Sequence, residues 1–253
     1  MTAPEAKETP TAIRHVAVVV PAHNEEQHLG RALTSLGLAA ENLERRCPGL
    51  TAGITVVLDS CTDGSADLAA AFAASHPRFI ALSVNLRNTG ASRAAGIAAA
   101  LETCSARPGT VWLANTDADS SVPPGWLVRQ VELANAGADA VLGSVEPDPA
   151  DVDPAVLLRW LELHPFKEDH PHIYGANFGI RTSAYLDTGG FPRVRAHEDR
   201  ILVERLRRRG YRLVATDTLR VTTSGRTAAR APQGFAAYLR ALSHSLPAVA
   251  EPA

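Results

Sequence analysis

The sequence predicts an α/β protein in which a mostly parallel sheet is covered by helices on both faces. Four short apolar runs recur in the first half of the chain, and segments with helical periodicity separate them. Short, continuous apolar runs are typical of strands that are buried on both faces. The chain has 253 residues, 45% of them hydrophobic, which suits one large domain with a sizeable core.

Strands and helices alternate in the first half, as in a Rossmann-like sheet. Leucines at helical spacing between Leu29 and Leu43 predict a first helix, and Asn24 with Gln27 resembles a capping box at its start. A second helix is predicted from about residues 63–65, and a third after Gly90. The runs that predict the strands are HVAVVVPA (15–22), GITVVLDS (53–60), RFIALSV (78–84) and TVWLANTDA (110–118).

The second half of the chain is less regular. A connector rich in Pro and Asp precedes a helix that contains Val156 and Trp160, and an irregular segment follows it. Residues 1–14 carry charges and prolines without the apolar segment of a signal peptide, so we predict a disordered tail there and a single domain over 15–246. The remaining predicted elements are a helix at 198–210, an extended stretch at 211–224 and an amphipathic helix at 232–246.

Composition and charge exclude several classes of protein. No run of about 18 apolar residues is present, so no membrane-spanning segment is predicted. The net charge of −2 argues against nucleic acid as a partner. Three cysteines without C-x-x-C spacing argue against a disulfide framework or a structural zinc site, and favour a cytoplasmic location. Residues 193–253 contain twelve arginines against five acidic residues, a net charge of about +7, and the first 192 residues carry about −9. An acidic amino-terminal part and a basic carboxy-terminal part together suit a site that holds a cation and a polyphosphate.

Acidic side chains follow two of the predicted strands, where ligands of parallel sheets bind. The run that ends near residue 118 leads into Asp117 and Asp119. Alternation along an extended chain sends both carboxylates to one side, with Ala118 opposite, so they can converge on one hard cation. The alternative is that these aspartates only terminate a strand and cap a turn.

Six short motifs occur in order along the chain: VVVPAHNEE, VVLDSCTDGS, NTGASRAAG, NTDADSSVPPGWL, GANFGIRTSAYLDTGGF and HEDRIL. Together they resemble family 2 glycosyltransferases of the GT-A fold, over about residues 15–226. The resemblance implies a metal-dependent enzyme that moves a sugar from a UDP- or GDP-sugar to an acceptor, with inversion. The motifs do not encode the acceptor, and the lack of a predicted membrane segment favours a soluble small molecule or a glycoside. Residues 15–120 would form the half that binds the nucleotide sugar, and 121–246 the half that binds the acceptor and carries the catalytic groups.

The resemblance also implies roles for individual residues. Asp119, together with Asp117, would bind Mn²⁺ or Mg²⁺ on the donor diphosphate. Asp199 of the Glu198–Asp199 pair would be the general base that takes the acceptor proton. The residues that would contact the nucleotide sugar are Pro21, Ala22, His23, Glu25, Asp59, Gly90, Arg93, Asp117, Ala118, Asn177 and Arg226.

Several of these contacts are specific enough to compare with a structure. Glu25 would lie near the ribose or base, and Asp59 would accept a hydrogen bond from the base. Gly90 and Arg93 would begin a helix that faces phosphate, and Arg226 would close on the diphosphate from the loop 222–230. The alternative for each acid is a purely structural role, as a helix cap or a residue of a helix first turn.

Other classes of protein fit the sequence less well. A nucleotidyltransferase or an NAD-binding protein would show a Gly-rich phosphate loop after the first strand, and PAHNEEQH has none. A non-catalytic module that only binds a sugar nucleotide would need no general base, so Asp117, Asp119 and Asp199 argue against this class. Between residues 198 and 243 no His is available as a further metal ligand, and His164, His170 and His172 lack the carboxylates of a zinc site. The oligomeric state stays open.

Overall fold

A computed structural model describes residues 11–227 and 234–245. In this part of the chain, eight strands form one sheet and eight α-helices pack around it. The strands are β1 (His15–Ala22), β2 (Thr51–Asp59), β3 (Phe79–Val84), β4 (Val111–Asn115), β5 (Ser120–Ser121), β6 (Ala140–Pro147), β7 (Phe178–Arg181) and β8 (Leu213–Thr223). The helices are α1 (Leu29–Arg46), α2 (Ser65–Ser75), α3 (Thr89–Glu102), α4 (Trp126–Asn135), α5 (Pro154–Leu163), α6 (Thr182–Asp187), α7 (Glu198–Arg208) and α8 (Phe235–Ser245).

The sheet is mostly parallel, as predicted. Its strand order is β3-β2-β1-β4-β7-β6-β8-β5. Strands β3, β2, β1 and β4 are parallel neighbours, and β6 is parallel to β8. The two exceptions are β7, which is antiparallel to both of its neighbours, and the short β5 at the edge. The ends of β1, β2 and β4 therefore lie side by side at one edge of the sheet.

Helices cover both faces of the sheet, which confirms the predicted fold class. Successive side chains of β1 point to opposite faces of the sheet, so Val18 belongs to one apolar core and Val19 to the other. The first core contains α1, α2 and α4, with Leu33 fully buried, and the second contains α3, α6 and α7. Helices α5 and α8 form a smaller cluster around Trp160.

Three details differ from the predictions. The predicted capping box is wrong, because α1 begins at Leu29 and Asn24 instead accepts a hydrogen bond from the Thr62 N–H (2.7 Å). The predicted tail is too long, because Ile13 is only 1% exposed and residues 11–14 pack against the domain. Strand β4 ends at Asn115, before the two aspartates. Residues 1–10 and parts of the last predicted helix lie outside the described residues.

Within the described ranges, no helix combines the length and the apolar character that a membrane crossing requires. The three cysteines are free thiols, each half-buried.

Candidate active site

The loops after β1 and β2 meet beside each other at the carboxyl edge of the sheet. The His23 ring contacts the Asp59 carbonyl oxygen through Nδ1 at 2.6 Å. The Ser65 hydroxyl at the start of α2 accepts a hydrogen bond from the Glu25 N–H (2.8 Å). Pro21 and Ala22 form the end of β1, and Ala22 is buried in the core. These contacts fix Glu25, which is itself only 7% exposed, at the edge of the site.

Asp59 organises the loop that leads into α3. Its Oδ1 accepts hydrogen bonds from the N–H groups of Leu86 and Arg87 (both 2.8 Å), and its Oδ2 accepts from Asn88 N–H (3.0 Å) and Ser92 Oγ (2.8 Å). Burial alone would raise the pKa of this carboxyl, but the hydrogen bonds outweigh burial and lower the pKa to about 2. The hydrogen bond from Asp59 to a nucleotide base stays a prediction.

Arg93 connects two acidic segments through a buried ion-pair chain. Its guanidinium lies 2.6 Å from Asp117 Oδ1 through one terminal nitrogen and 2.5 Å from Glu198 Oε1 through the other. The Arg93 side chain is 2% exposed. The positive charge of Arg93 is therefore paired with carboxylates of the protein itself, and these pairs hold the start of α7 against the turn after β4. Contact of Arg93 with a donor phosphate stays a prediction.

Glycines allow this close packing around the Arg93 chain. A side chain at Gly90 would lie 2.4 Å from the Pro192 carbonyl oxygen and 3.1 Å from Glu198 Cβ. A side chain at Gly175 would lie 2.4 Å from the Arg93 guanidinium. Gly90 thus lets α3 approach the loop before α7, and the helix itself is capped by the Asn88 side chain.

Arg226 connects Asp119 to Glu25 in the loop after β1. Its two terminal nitrogens bond both carboxylate oxygens of Glu25 at 2.8 and 2.9 Å, and one of them also lies 2.8 Å from Asp119 Oδ2. The side chains of Glu25 and Asp119 are 8% and 15% exposed. The single positive charge of this guanidinium is therefore shared between two buried carboxylates.

Asp119 lies in an environment that favours a cation. Its Oδ1 accepts hydrogen bonds from Ser120 Oγ (3.2 Å) and Thr223 Oγ1 (3.3 Å). Burial, followed by repulsion from Asp117, raises the pKa of Asp119 to about 6 in spite of the nearby Arg226 guanidinium. Ala118 is buried between the two aspartates, whose oxygens suit Mn²⁺ or Mg²⁺. In residues 11–227 and 234–245 no group of three or more potential ligand side chains is placed for a metal.

The predicted acidic pair begins α7. Glu198 is 9% exposed, and burial raises its pKa against the opposing effect of Arg93. Asp199 is half-buried, and its carboxylate accepts a hydrogen bond from the adjacent Arg200 N–H (2.8 Å). His197, just before the helix, has a left-handed backbone with φ of 65°. Glu198 is therefore an ion-paired residue of the interior, whereas Asp199 is more exposed.

Asn177 lies inside the protein. It is 1% exposed, and its amide nitrogen donates to the carbonyl oxygens of Ser144 (2.7 Å) and Leu219 (2.8 Å). Its amide oxygen accepts from the Trp126 indole (2.9 Å). These bonds join α4, β6 and β8, and Asn177 has no part in the donor site proposed below.

One contributor was missed by the sequence-based predictions. Asp151 accepts hydrogen bonds from Ser224 Oγ (2.8 Å) and Gly225 N–H (3.2 Å), which orients the loop that carries Arg226. The two segments are 73 positions apart, and no local pattern indicates the contact. Of the loop predicted to close on the diphosphate, residues 228–230 lie outside the described residues.

Solved structures with the same architecture define the class of fold. A mannosyltransferase from Pyrobaculum calidifontis, solved with GDP-Man and Mn²⁺, aligns with a TM-score of 0.64 at 20% identity, over 92% of this chain and 62% of the other. The glucosyl-3-phosphoglycerate synthase of Mycobacterium tuberculosis, solved with Mn²⁺, UDP and glucosyl-3-phosphoglycerate, aligns with a TM-score of 0.52 at 16% identity, over 91% and 76%. The chain has the GT-A fold of these enzymes.

The family follows from the sequence comparison. The model of glycosyl transferase family 2 matches residues 17–190, more than half of the chain, so the protein belongs to that family. It is also 36% identical over 153 residues to the undecaprenyl-phosphate 4-deoxy-4-formamido-L-arabinose transferase of Pseudomonas syringae pv. syringae. The corresponding protein of Pseudomonas savastanoi pv. phaseolicola is 35% identical over 152 residues. In both cases the match covers 60% of this chain and 40% of the relative.

Proposed function

We propose that the protein transfers a sugar from a nucleoside diphosphate sugar to an acceptor, using a divalent metal and a carboxylate base. One observation carries the proposal: Asp117 and Asp119 follow β4 at the carboxyl edge, and two arginines link them to Glu198 and Glu25. The proposed metal ligands, the proposed donor contacts and the helix start that carries the proposed base thus belong to one connected set of ion pairs. Membership of family 2 supports the same reaction class.

The proposed donor site lies between the ends of β1, β2 and β4. Asp119, assisted by Asp117, would hold Mn²⁺ or Mg²⁺, and this metal would neutralise the charge that develops on the leaving nucleoside diphosphate. The raised pKa of Asp119 supports this assignment, because a buried carboxylate with incomplete charge compensation gains from a nearby cation. The loop residues Pro21 to Glu25 and the Asp59 loop would enclose the nucleoside.

Arg226 would change partners when the donor binds. In the structure, its guanidinium bonds Asp119 Oδ2 and both carboxylate oxygens of Glu25. A metal at Asp119 would compete for the same oxygen, and a donor diphosphate would offer the guanidinium a planar anionic partner. We propose that Arg226 then binds the diphosphate, while Asp151 keeps its loop in position.

Asp199 is the proposed general base. Its carboxylate is less buried than that of Glu198, whose Oε1 is occupied by Arg93. Glu198 would instead position the start of α7, so that Asp199 can take the proton from the acceptor hydroxyl as that oxygen attacks the sugar. Attack from the side opposite the leaving diphosphate gives inversion.

The acceptor is the least defined part of the proposal. The sequence favours a soluble small molecule or glycoside, whereas the names of the curated relatives contain undecaprenyl phosphate, a lipid phosphate. The solved neighbours carry GDP-Man and UDP, so both nucleotides are candidates for the donor.

A donor screen tests the proposed reaction class. The protein is incubated with UDP- and GDP-sugars in Mn²⁺, and released nucleoside diphosphate is measured with and without candidate acceptors. We expect release with one nucleotide series, its loss in EDTA, and its loss in Asp119→Asn but not in Asp67→Asn, a matched change at an exposed position of α2. Tight donor binding without any release would leave a binding module as the function.

A further inference from the structure

The sheet ends in two edge strands that differ in length. Strand β5 at one edge has two residues, which leaves little backbone to pair with another chain. Strand β3 at the other edge has six residues, FIALSV, and β2 is its one neighbour in the described part of the chain. It contains no charged residue and no proline, and its register with β2 is continuous. Proteins protect edge strands from pairing with other chains by charges, prolines and bulges, so β3 is unprotected.

The outer edge of β3 presents a regular set of backbone groups. The carbonyl oxygen of Arg78, just before the strand, accepts a hydrogen bond from Ile54 N–H of β2 (2.8 Å), so it points towards β2. Backbone groups of successive residues in a strand point to alternate sides, so the N–H and C=O groups of Ala81 and Ser83 point away from β2. Both residues are exposed. Their backbone groups are therefore in place to pair with a further strand.

One face of β3 carries apolar side chains that the protein covers only in part. Ile80, Leu82 and Val84 alternate with Ala81 and Ser83 and so share one face, and Leu82 and Val84 pack against the core that contains α3. Leu82 and Val84 are half-buried, and Ile80 is 40% exposed. A cavity of about 230 Å³, lined by Ile80 and by the end of α3, lies beside this row. Helix α3 therefore leaves the apolar row of β3 without a complete covering layer.

A second copy of the chain complements this edge in both backbone pairing and side chains. A two-fold axis perpendicular to the sheet relates two copies of β3 as antiparallel strands. With the axis at Leu82, Ala81 lies opposite Ser83 of the second copy, and the two residues exchange their outward N–H and C=O groups. Leu82 then lies beside its own counterpart, and Ile80 lies opposite Val84 of the second copy. The two apolar rows thereby form one continuous row.

Helix α2 covers the other face of β3, and its exposed side suits the same arrangement. Phe72 of α2 packs against Phe79 of β3 with ring centroids 5.5 Å apart. The exposed residues of α2 include small side chains that leave room for a second helix: Ala66, Ala70, Ala71 and Ala74. The two-fold axis makes the two copies of α2 antiparallel. Asp67 in the first turn of one copy then lies towards His76 and Arg78, which follow the last turn of the other, so the charges are complementary.

We propose that two copies of the protein pair through β3 and join their sheets into one. The axis points the carboxyl edges of the two sheets in opposite directions, so neither copy covers the candidate active site of the other. Pairing also holds the end of β3, where the loop that binds Asp59 begins. The surface is smaller than that of a permanent dimer, so we expect a Kd of about micromolar order.

Sedimentation velocity over a concentration series tests the proposal on the full chain. We expect the average mass to rise from that of the monomer towards twice that value between about 1 and about 200 µM. Ile80→Lys puts a charge into the apolar row, and Ala81→Pro removes an outward N–H while keeping the bonds to β2. Each should weaken dimerisation about tenfold or more. Leu38→Lys on α1, at a position that is 52% exposed, is the matched control and should dimerise like the wild type.

Leu82→Cys locates the two-fold axis. Directly opposite residues of a pair without ladder hydrogen bonds lie about 4.5 Å apart at Cα, within reach of a disulfide. Oxidation with diamide should therefore link two copies of this variant, but not two copies of the wild type or of Leu186→Cys, an exposed control on α6. Melting temperatures near that of the wild type show that the variants are folded.

Two results would overturn the proposal. One is a wild type that stays monomeric over the whole concentration series, or that dimerises no better than Ile80→Lys and Ala81→Pro. The other is a dimer that forms only after residues 1–10 are deleted, because that segment would then be the occupant of the β3 edge. Binding of a nucleoside diphosphate with Mn²⁺ is measured separately, so neither result bears on the proposed function.

Discussion

Replacing Arg226 by Ala should move metal binding and diphosphate binding in opposite directions. In the structure its guanidinium holds Asp119 Oδ2 at 2.8 Å and both oxygens of Glu25. Without it, Mn²⁺ no longer competes with a cation for Asp119. If the lost competition is worth about 1.5 kcal/mol, Mn²⁺ alone should bind about tenfold more tightly. The diphosphate loses a charge-assisted partner, so its affinity in saturating Mn²⁺ should fall by about 1.5 to 3 kcal/mol.

Free Mn²⁺ is measured by electron paramagnetic resonance, and UDP or GDP affinity by titration calorimetry. Arg207→Ala serves as the matched control and should change neither quantity. The variant should also melt at a lower temperature without metal, because two buried carboxylates lose their counter-charge, and Mn²⁺ should restore part of the loss. Unchanged Mn²⁺ affinity would show that Arg226 does not compete with the metal, and unchanged diphosphate affinity would remove it from the donor pocket.

Three further changes test separate parts of the structure. Asp199→Asn should lower the transfer rate about 10²- to 10⁴-fold, while donor affinity stays near that of the wild type. If Asp199→Asn keeps full activity and Glu198→Gln loses it, Glu198 is the base. Asp59→Asn should lower the free energy of unfolding by about 2 kcal/mol at pH 7, because the folded-state pKa lies below the unfolded value. Urea titrations should show that this difference in unfolding free energy disappears as pH falls from about 4 to about 2. A difference that does not depend on pH would refute the lowered pKa of Asp59. Gly90→Ala should cost about 1 to 3 kcal/mol through the clash at 2.4 Å, whereas Gly30→Ala, with nothing within 4 Å, should be neutral or stabilising.

Local patterns were sufficient for most of the fold. The run of β-branched residues in β1 has the predicted bounds, because such residues favour strands wherever both faces are buried. The predicted N-terminus of α1 was wrong, because Asn24 bonds across to Thr62 rather than along its own helix. The antiparallel insertion of β7 between β4 and β6 has no local signal, because strand pairing depends on tertiary contacts.

For the candidate site, too, local patterns predicted some features, and tertiary contacts determined the others. Motifs identified the acids after β4 and at the start of α7, but the roles of their partners depend on distant residues. Arg93 pairs with Glu198 across 105 positions, and Arg226 pairs with Glu25 across 201. Local sequence patterns do not indicate ion pairs between residues so far apart. The motif around Arg93 therefore predicts a contact with phosphate instead. Asn177 likewise lies in a matching motif, but its bonding partners belong to three different elements.

Metal-dependent binding of a nucleoside diphosphate at Asp119 is the central claim. Titration calorimetry of UDP and GDP, in Mn²⁺ and in EDTA, on the wild type, Asp119→Asn and the surface control Asp67→Asn measures it directly. We predict clear binding of one nucleotide in Mn²⁺ for the wild type and the control, and weak binding in EDTA or in Asp119→Asn. Equal affinity in Mn²⁺ and EDTA, or an Asp119→Asn variant that binds like the wild type, would contradict the account.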